Sequence, residues 1–201
     1  MSTSDYATPQ ESFWAGQFGS EYIGRNNSDQ LLASNLSFFT KALKQAGRLS
    51  SCIEFGANIG MNLKALQLLY PGIGLRGVEI NPDATKALRV LIGNENVYEG
   101  SIFDCPVEGG ADLSLIKGVL IHVNPEMLPV VYEKLYSASK RFILVCEYYN
   151  PSPVEVSYRG HADRLFERDF AGEMLDKYHD LSLIDYGFAY RRDPAFPQDD
   201  V

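Results

Sequence analysis

The chain has 201 residues, 45% of them hydrophobic and 22% charged, enough apolar material for one sizeable core, which excludes a wholly disordered chain. Lysine and arginine total 18 against 26 acids, a formal net charge of −8, so a basic nucleic-acid footprint is absent and nucleic acid is not an expected partner. No apolar run approaches the roughly 20 residues of a membrane span, and residues 1–10 carry neither a basic nor an apolar stretch, so neither membrane nor export signal is expected.

Residues 1–30, rich in Ser, Asn, Gly and aromatics, read as an N-terminal arm or lid on a single domain spanning 31–201. Trp14, Phe18 and Tyr22 recur every four residues and fit one face of a short helix, which either packs on the core, the expectation for Trp14, or closes as a lid. Leu32, Leu36, Phe39 and Leu43 form a helical stripe that Gly47 can stop. From Ser50 onward strands and helices alternate. Ser51–Phe55 predicts a strand, followed by a glycine-containing turn and a helix over 62–70 that ends at Pro71-Gly72. A second strand is read at 75–80. Asn81-Pro82 then supplies a cap with proline at the first helical position, leading into a helix over 84–91. Strands are read at 96–102 and 111–119, and Asn124-Pro125 repeats the cap signal before a helix to about Ser139. A fifth strand at 141–146, a helix at 168–178 and a strand at 181–190 complete the series. This alternation implies an α/β fold: a Rossmann-like, doubly wound, mostly parallel sheet with helices on both faces and an aromatic arm as cap. Ligands of such sheets bind at the carboxyl ends of the strands, near the topological switch point.

Cys52, Cys105 and Cys146 lie far apart with no C-x-x-C pair, and read as reduced thiols in a cytoplasmic protein. No two histidines share a metal-ligand spacing, so no metal is expected.

The most informative stretch is Cys52-Ile53-Glu54-Phe55-Gly56-Ala57-Asn58-Ile59-Gly60, where a strand ending in an acid runs into a tight turn and a helix. Glycines allow positive φ and close backbone approach, and asparagine tolerates that conformation best among other residues. The order Gly56-x-Asn58-x-Gly60-Met61 does not supply the G-x-G-x-x-G of a dinucleotide site. Glu79, at the end of the second strand, can take the two hydroxyls of a ribose, or else is a solvated carboxylate.

Glu54 to Gly60 resembles the E/D-x-G-x-G-x-G motif of class I S-adenosylmethionine (SAM)-dependent methyltransferases, and Glu79 matches their second-strand acid. Gly100-Ser101-Ile102 stands where that family places its adenine-contacting turn, with serine at a position where aspartate is common. Lys117 to Val123 resembles the segment after the fourth strand, so the likeness spans residues 50–150. The arm, from Phe13 to Tyr22 with Arg25-Asn26, is similar to the start of the methylases associated with pseudaminic acid biosynthesis. So are Glu147-Tyr148-Tyr149-Asn150-Pro151, Tyr158-Arg159-Gly160-His161 and Asp185-Tyr186-Gly187-Phe188. What this resemblance implies is SAM as cofactor, held by Glu54, Gly56, Asn58, Gly60, Glu79, Ser101, Ile102 and Lys117. Phe18 and Tyr22 would cover the sulfonium by cation–π attraction, and Arg25 would reach the cofactor's carboxylate. Such enzymes usually end in an additional antiparallel strand. No apolar segment remains after 181–190 to form it, so a shortened edge, or one completed by earlier residues, is expected.

Methyl transfer from a sulfonium is an in-line displacement. The protein aligns the partners, worth up to roughly 7–11 kcal/mol, excludes water, and adds a base worth about 10²–10⁴ in rate. His122, after the fourth strand, is the candidate base, or a histidine packing its turn. Glu147 at the end of the fifth strand and His161 in the Tyr158–His161 loop are further catalytic candidates, while Tyr149, Tyr158 and Arg159 are candidate substrate contacts. His179 reads as surface. The expected function is methyl transfer to a small polar acceptor, a sugar or sugar nucleotide. The alternatives are methylation of a protein or another small molecule, and a non-catalytic scaffold of the same fold. The sequence does not choose between oxygen, nitrogen and carbon acceptors or between oligomeric states.

Overall fold

The computed structural model describes residues 6–24 and 27–201, so Arg25 lies outside the described residues. Five strands, β1 (Ser51–Phe55), β2 (Gly74–Glu79), β3 (Val97–Glu99), β4 (Ala111–Lys117) and β5 (Ser139–Cys146), form a parallel sheet in the order β3-β2-β1-β4-β5. The chain builds outward from β1 through β2 to β3, then returns to place β4 on the other side of β1. The carboxyl ends of β1 and β4 therefore flank the switch point.

Alternation along each strand sorts side chains to the two faces. Cys52, Leu113 and Leu115 join Phe39, Leu63, Leu66 and Leu88, which come from α3 (Asp29–Ala42), α4 (Met61–Leu69) and α5 (Pro82–Ile92). Ile53, Phe55, Val78 and Ile116 face the other way, onto Val131 and Leu135 of α6 (Leu128–Ala138) and Phe170 and Met174 of α7 (Phe170–Lys177). Among the described residues no helix is long and apolar enough to cross a membrane.

The arm forms two short helices broken at Gly16, α1 (Pro9–Ala15) and α2 (Gln17–Ile23), so the four-residue aromatic period runs across a break instead of along one helix. Thr8 starts α1 with a capping box to Glu11. Asn81 secures the arm to the sheet. Its Oδ1 caps α5 at the amides of Asp83 and Ala84, and its Nδ2 donates to the carbonyls of Trp14 (3.1 Å) and Gly16 (3.3 Å). Gly19 permits this contact, since a Cβ there would lie 1.9 Å from the Trp14 carbonyl oxygen.

Three expectations need correction. The strand read at 96–102 shortens to Val97–Glu99, because the chain turns at Gly100 (φ 155°). The Tyr158–His161 loop is the turn of a hairpin, β6 (Val154–Tyr158) with β7 (His161–Glu167), in which Arg159 (φ 51°) and Gly160 (φ 84°) both have positive φ, as a type I′ hairpin turn requires. The strand read at 181–190 is irregular. Its apolar residues do not alternate cleanly, and side chains tie it to α3 and the residues after it: Gln45 Nε2 donates to the Ile184 carbonyl, and Lys44 pairs with Asp185 at 3.1 Å. Leu183, Ile184, Tyr186 and Phe188 stay exposed, and β5 remains the sheet's edge.

Candidate active site

A cavity of about 220 Å³ lies over the carboxyl ends of the strands, walled by the turns after β1, β2, β3 and β4 and roofed by the arm. It is smaller than the roughly 300–1,000 Å³ usual for ligand sites, because Gln10, Glu11, Trp14 and Tyr22 of the arm form part of its wall.

The turn after β1 builds the floor. Gly56 (φ 76°), Asn58 (φ 47°) and Gly60 (φ 86°) take left-handed conformations, and Asn58 Oδ1 accepts from the Ile59 amide at 2.7 Å. Gly56 also lies tight under Val119, whose Cγ2 would be 2.5 Å from a Cβ. Gly56 and Asn58 line the cavity, whereas Gly60 stands behind it as the N-cap of α4.

Glu79 faces the cavity and joins two turns. One carboxylate oxygen accepts from the Asn58 amide (2.7 Å) and the other from the Asn81 amide (2.7 Å). Burial pushes its pKa up, against the pull of those amides. Ser101 and Ile102 form the flank after β3, and Lys117, the last residue of β4, the opposite flank.

Glu54 does not reach the cavity. It is 0% exposed, with Oε1 accepting from Asn62 Nδ2 at 2.6 Å, and Asn62 is the residue that lines the wall. Burial pushes Glu54 up to about 8, opposed by Asn62 and the Lys117 charge and reinforced by Glu79. An acid whose folded pKa is raised contributes stability that is complete below its unfolded value and lost as pH rises through the folded one. Melting temperature is therefore expected to fall between pH 6.5 and 8.5. Across that window His122, held down to about 4, is neutral in the fold. Its unfolded imidazole loses its proton near 6.5 and opposes the decline only at the lower end, where Glu147, raised to about 7, adds to it. Glu54→Gln should flatten much of this decline and raise Tm at pH 8.5. A variant whose melting curve tracks the wild type across this window would contradict the assignment.

His122 is the residue the sequence places best. It is 8% exposed and lines the cavity, its Nδ1 lying 2.5 Å from the Arg164 carbonyl of β7. A carbonyl can only accept, so Nδ1 carries the proton and Nε2 is the ring's acceptor. Burial holds the ring's pKa down to about 4, with the Arg164 bond opposing, so it is neutral at physiological pH. Trp14 (ring centroids 4.7 Å apart) and Tyr158 (4.8 Å) pack on either side.

Glu147 lies behind the cavity, under the turn after β4. Its oxygens accept from the amides of Val119 and Leu120 at 3.0 Å, and from Ile121 more weakly. It holds the Leu120–His122 turn and so positions the imidazole without lining the cavity. Burial raises its pKa to about 7 despite these bonds.

His161 is likewise displaced. It is exposed at the start of β7, its ring 5.1 Å from Phe13 and 6.2 Å from Phe18. Phe18 stacks on Phe13 (4.1 Å) outside the cavity, and Tyr22 is the expected arm aromatic that lines it. Of the candidate substrate contacts only Tyr158 lines the cavity. Tyr149 is 65% exposed, and Arg159 sits in the hairpin turn with its guanidinium 5.6 Å over Tyr158.

Several wall residues escaped the sequence reading. Trp14, expected in the core, and Tyr148, directly after Glu147, both line the cavity. Asp199 and Val201 had no readable signal, since they arrive by a tail folded back on itself. The Ala189 amide donates to the Val201 carbonyl (2.7 Å), Arg191 pairs with Asp200 (3.0 Å), and Gln198 docks its amide on Asn35 Oδ1 (3.2 Å). Burial, then Asp199, Tyr22 and Tyr158, raise the Tyr148 pKa.

Three side-chain atoms around this cavity are buried with no hydrogen-bond partner: Gln10 Oε1 and Trp14 Nε1 on the arm, and Glu54 Oε2 behind Asn62. Orphans of this kind are rare in protein interiors.

No family model matches the chain, and no curated protein does. Solved structures do. Streptomyces venezuelae DesVI is similar with a TM-score of 0.62 at 11% identity, over 96% of this chain and 97% of that one. A SAM-dependent methyltransferase from Leishmania major gives 0.66 at 14%, over 89% and 74%. The sugar N-methyltransferase KedS8 of a Streptoalloteichus species gives 0.55 at 16%, over 80% and 66%. The fold is the class I methyltransferase fold. Within it, the parallel order β3-β2-β1-β4-β5 places the glycine turn and Glu79 beside each other over the switch point, and the β6–β7 hairpin clamps His122 from the side.

Proposed function

We propose that this chain is a SAM-dependent methyltransferase acting on a small polar acceptor, a sugar or sugar nucleotide. The observation that carries the reading is a single cavity in which the Gly56–Gly60 turn and Glu79 meet a neutral, acceptor-bearing His122. The residues present fit the cofactor. Glu79 would take the ribose hydroxyls, the Ser101–Phe103 flank the base, and Lys117 with the backbone of the β1 turn the charged amino-acid end. The orphaned polar atoms of Gln10 and Trp14, both of which line the cavity, are of the kind a bound polar ligand satisfies. When bound, SAM supplies a sulfonium-activated methyl group.

The chain's own contribution is alignment, exclusion of water and one proton movement. The arm, with Trp14 and Tyr22 in the wall, covers part of the cavity and so excludes water from that side. His122 Nε2 accepts the proton that a hydroxyl acceptor must lose. A protonated ether is a far stronger acid than imidazolium, so this transfer runs downhill even with the histidine pKa near 4. A sugar acceptor is supported by the resemblance of arm and tail to the pseudaminic acid-associated methylases, and by the likeness to KedS8. Titration calorimetry with SAM, followed by labelled-methyl transfer to a panel of sugar nucleotides and mass mapping of the product, tests both halves. Absence of binding at millimolar SAM would remove the enzyme reading.

A further inference from the structure

The flank after β3 has an unusual composition for reading a purine. Ser101 does not offer its hydroxyl to the cavity as a free group: it donates to a carboxylate oxygen of Glu11 from the arm, while its Oγ accepts from the Phe103 amide at 3.0 Å. The second Glu11 oxygen accepts from the Thr8 amide at 3.0 Å. Glu11 is buried yet lines the cavity, beside Ile102 and Phe103, whose side chains can bracket a flat ring. A carboxylate has about four lone-pair directions. Two are used here, so each oxygen can accept once more. Elsewhere on the cavity wall the side-chain oxygen of Gln10 is buried with no partner, its amide nitrogen donating to the Asp163 carbonyl of β7 at 3.0 Å. At the β3 flank the Glu11 carboxylate therefore holds the unused acceptor positions.

We propose that Glu11, carried in by the arm, reads the exocyclic amine of the cofactor's adenine, so that the lid itself forms part of the nucleoside site. The inference rests on the SAM-binding reading above. Strand order supplies the orientation: with ribose at Glu79 on β2 and methyl transfer at His122 after β4, the base extends toward the end of β3, where Glu11 waits. An acceptor-only group there favours a 6-amino purine and opposes a 6-oxo one, whose oxygen would face another acceptor. The same contact ties cofactor binding to arm closure, since Glu11 can engage the base only while α1 is docked.

The test compares two non-reactive ligands by calorimetry, S-adenosylhomocysteine and its deaminated counterpart S-inosylhomocysteine. The wild type should prefer the adenosyl ligand by about tenfold or more. Glu11→Gln keeps the side-chain length and an acceptor for the Thr8 amide, but its NH₂ can turn toward a 6-oxo group, so the preference should collapse toward parity. Thr8→Ala, which removes the side-chain half of the capping box and leaves the carboxylate, should weaken both ligands alike and preserve the ratio. Equal weakening of both ligands in Glu11→Gln would reduce Glu11 to a helix cap and overturn the proposal. An unchanged ratio would do the same. Failure of either ligand to bind the wild type would instead remove the SAM-binding reading itself, and this inference with it.

Discussion

Replacing His122 by alanine is expected to lower turnover on a hydroxyl acceptor by about 10²–10⁴, while the Kd for S-adenosylhomocysteine changes less than about threefold, the scale of a contact not made to that ligand. The reason is location. The imidazole hangs from the Arg164 carbonyl of β7 in the turn after β4, whereas the groups assigned to the cofactor are Glu79, the β1 and β3 turns, Glu11 of the arm and Lys117 at the end of β4, none of which bonds the ring. An amine acceptor should suffer less, because a neutral amine needs no base before it attacks and its ammonium product is a weaker acid than a protonated ether. The acid limb of the pH–rate profile should extend toward pH 4–5, since His122 keeps its acceptor form down to about 4. Turnover unchanged in His122→Ala would demote the ring to packing between Trp14 and Tyr158.

Local signals made most of the fold legible in the sequence. Ser51–Phe55 is a strand because four of its five residues are buried between two helical layers, and a run of that length bounded by Ser50 and Gly56 reads as little else. Asn81-Pro82 states the start of α5 in two residues, since the side chain satisfies two orphan amides and proline lacks a third. Where packing at a distance decides, the text was less informative. The hairpin at 154–167 pairs a strand that alternates but is only half-buried, β6, with one that does not alternate, β7, so its pattern resembles loop. The segment 181–190 carries strand-like composition, yet it is held by side chains of Lys44 and Gln45 and not by the backbone of β5, and no local pattern reveals that. The site divides the same way. Glu79 and His122 could be located because strand ends are set by local pattern. The place of Glu147 under the Leu120–His122 turn could not, because it depends on three amides that lie 26 to 28 residues away in sequence. Trp14, Glu11 and Asp199 reach the cavity only through folding back of both ends of the described chain.

Glu79→Ala is expected to show the largest combined loss: cofactor-analogue affinity lower by about 10² or more, with stability reduced by about 2–5 kcal/mol. The two effects share one cause. The carboxylate bridges the Asn58 and Asn81 amides, so its removal leaves two backbone donors in a low-dielectric site without partners, at roughly 1–3 kcal/mol each. It also releases Asn58 from its left-handed turn and Asn81 from the position in which it caps α5 and pins the arm, so floor and roof of the cavity loosen together. Glu79→Gln should not rescue this, because an amide can accept from only one of the two donors and presents its own N–H groups to the other. Glu99→Gln provides the control. That acid ends the neighbouring strand but spends an oxygen on Arg89 and Thr85 away from the cavity, and it should leave analogue affinity within about twofold, as surface substitutions do. Calorimetry and thermal melts on the three variants separate the outcomes. A folded Glu79→Ala protein that bound S-adenosylhomocysteine as the wild type does would place the ribose elsewhere, and a Glu79→Gln variant melting with the wild type would show that the bridge between the two turns carries little of the stability.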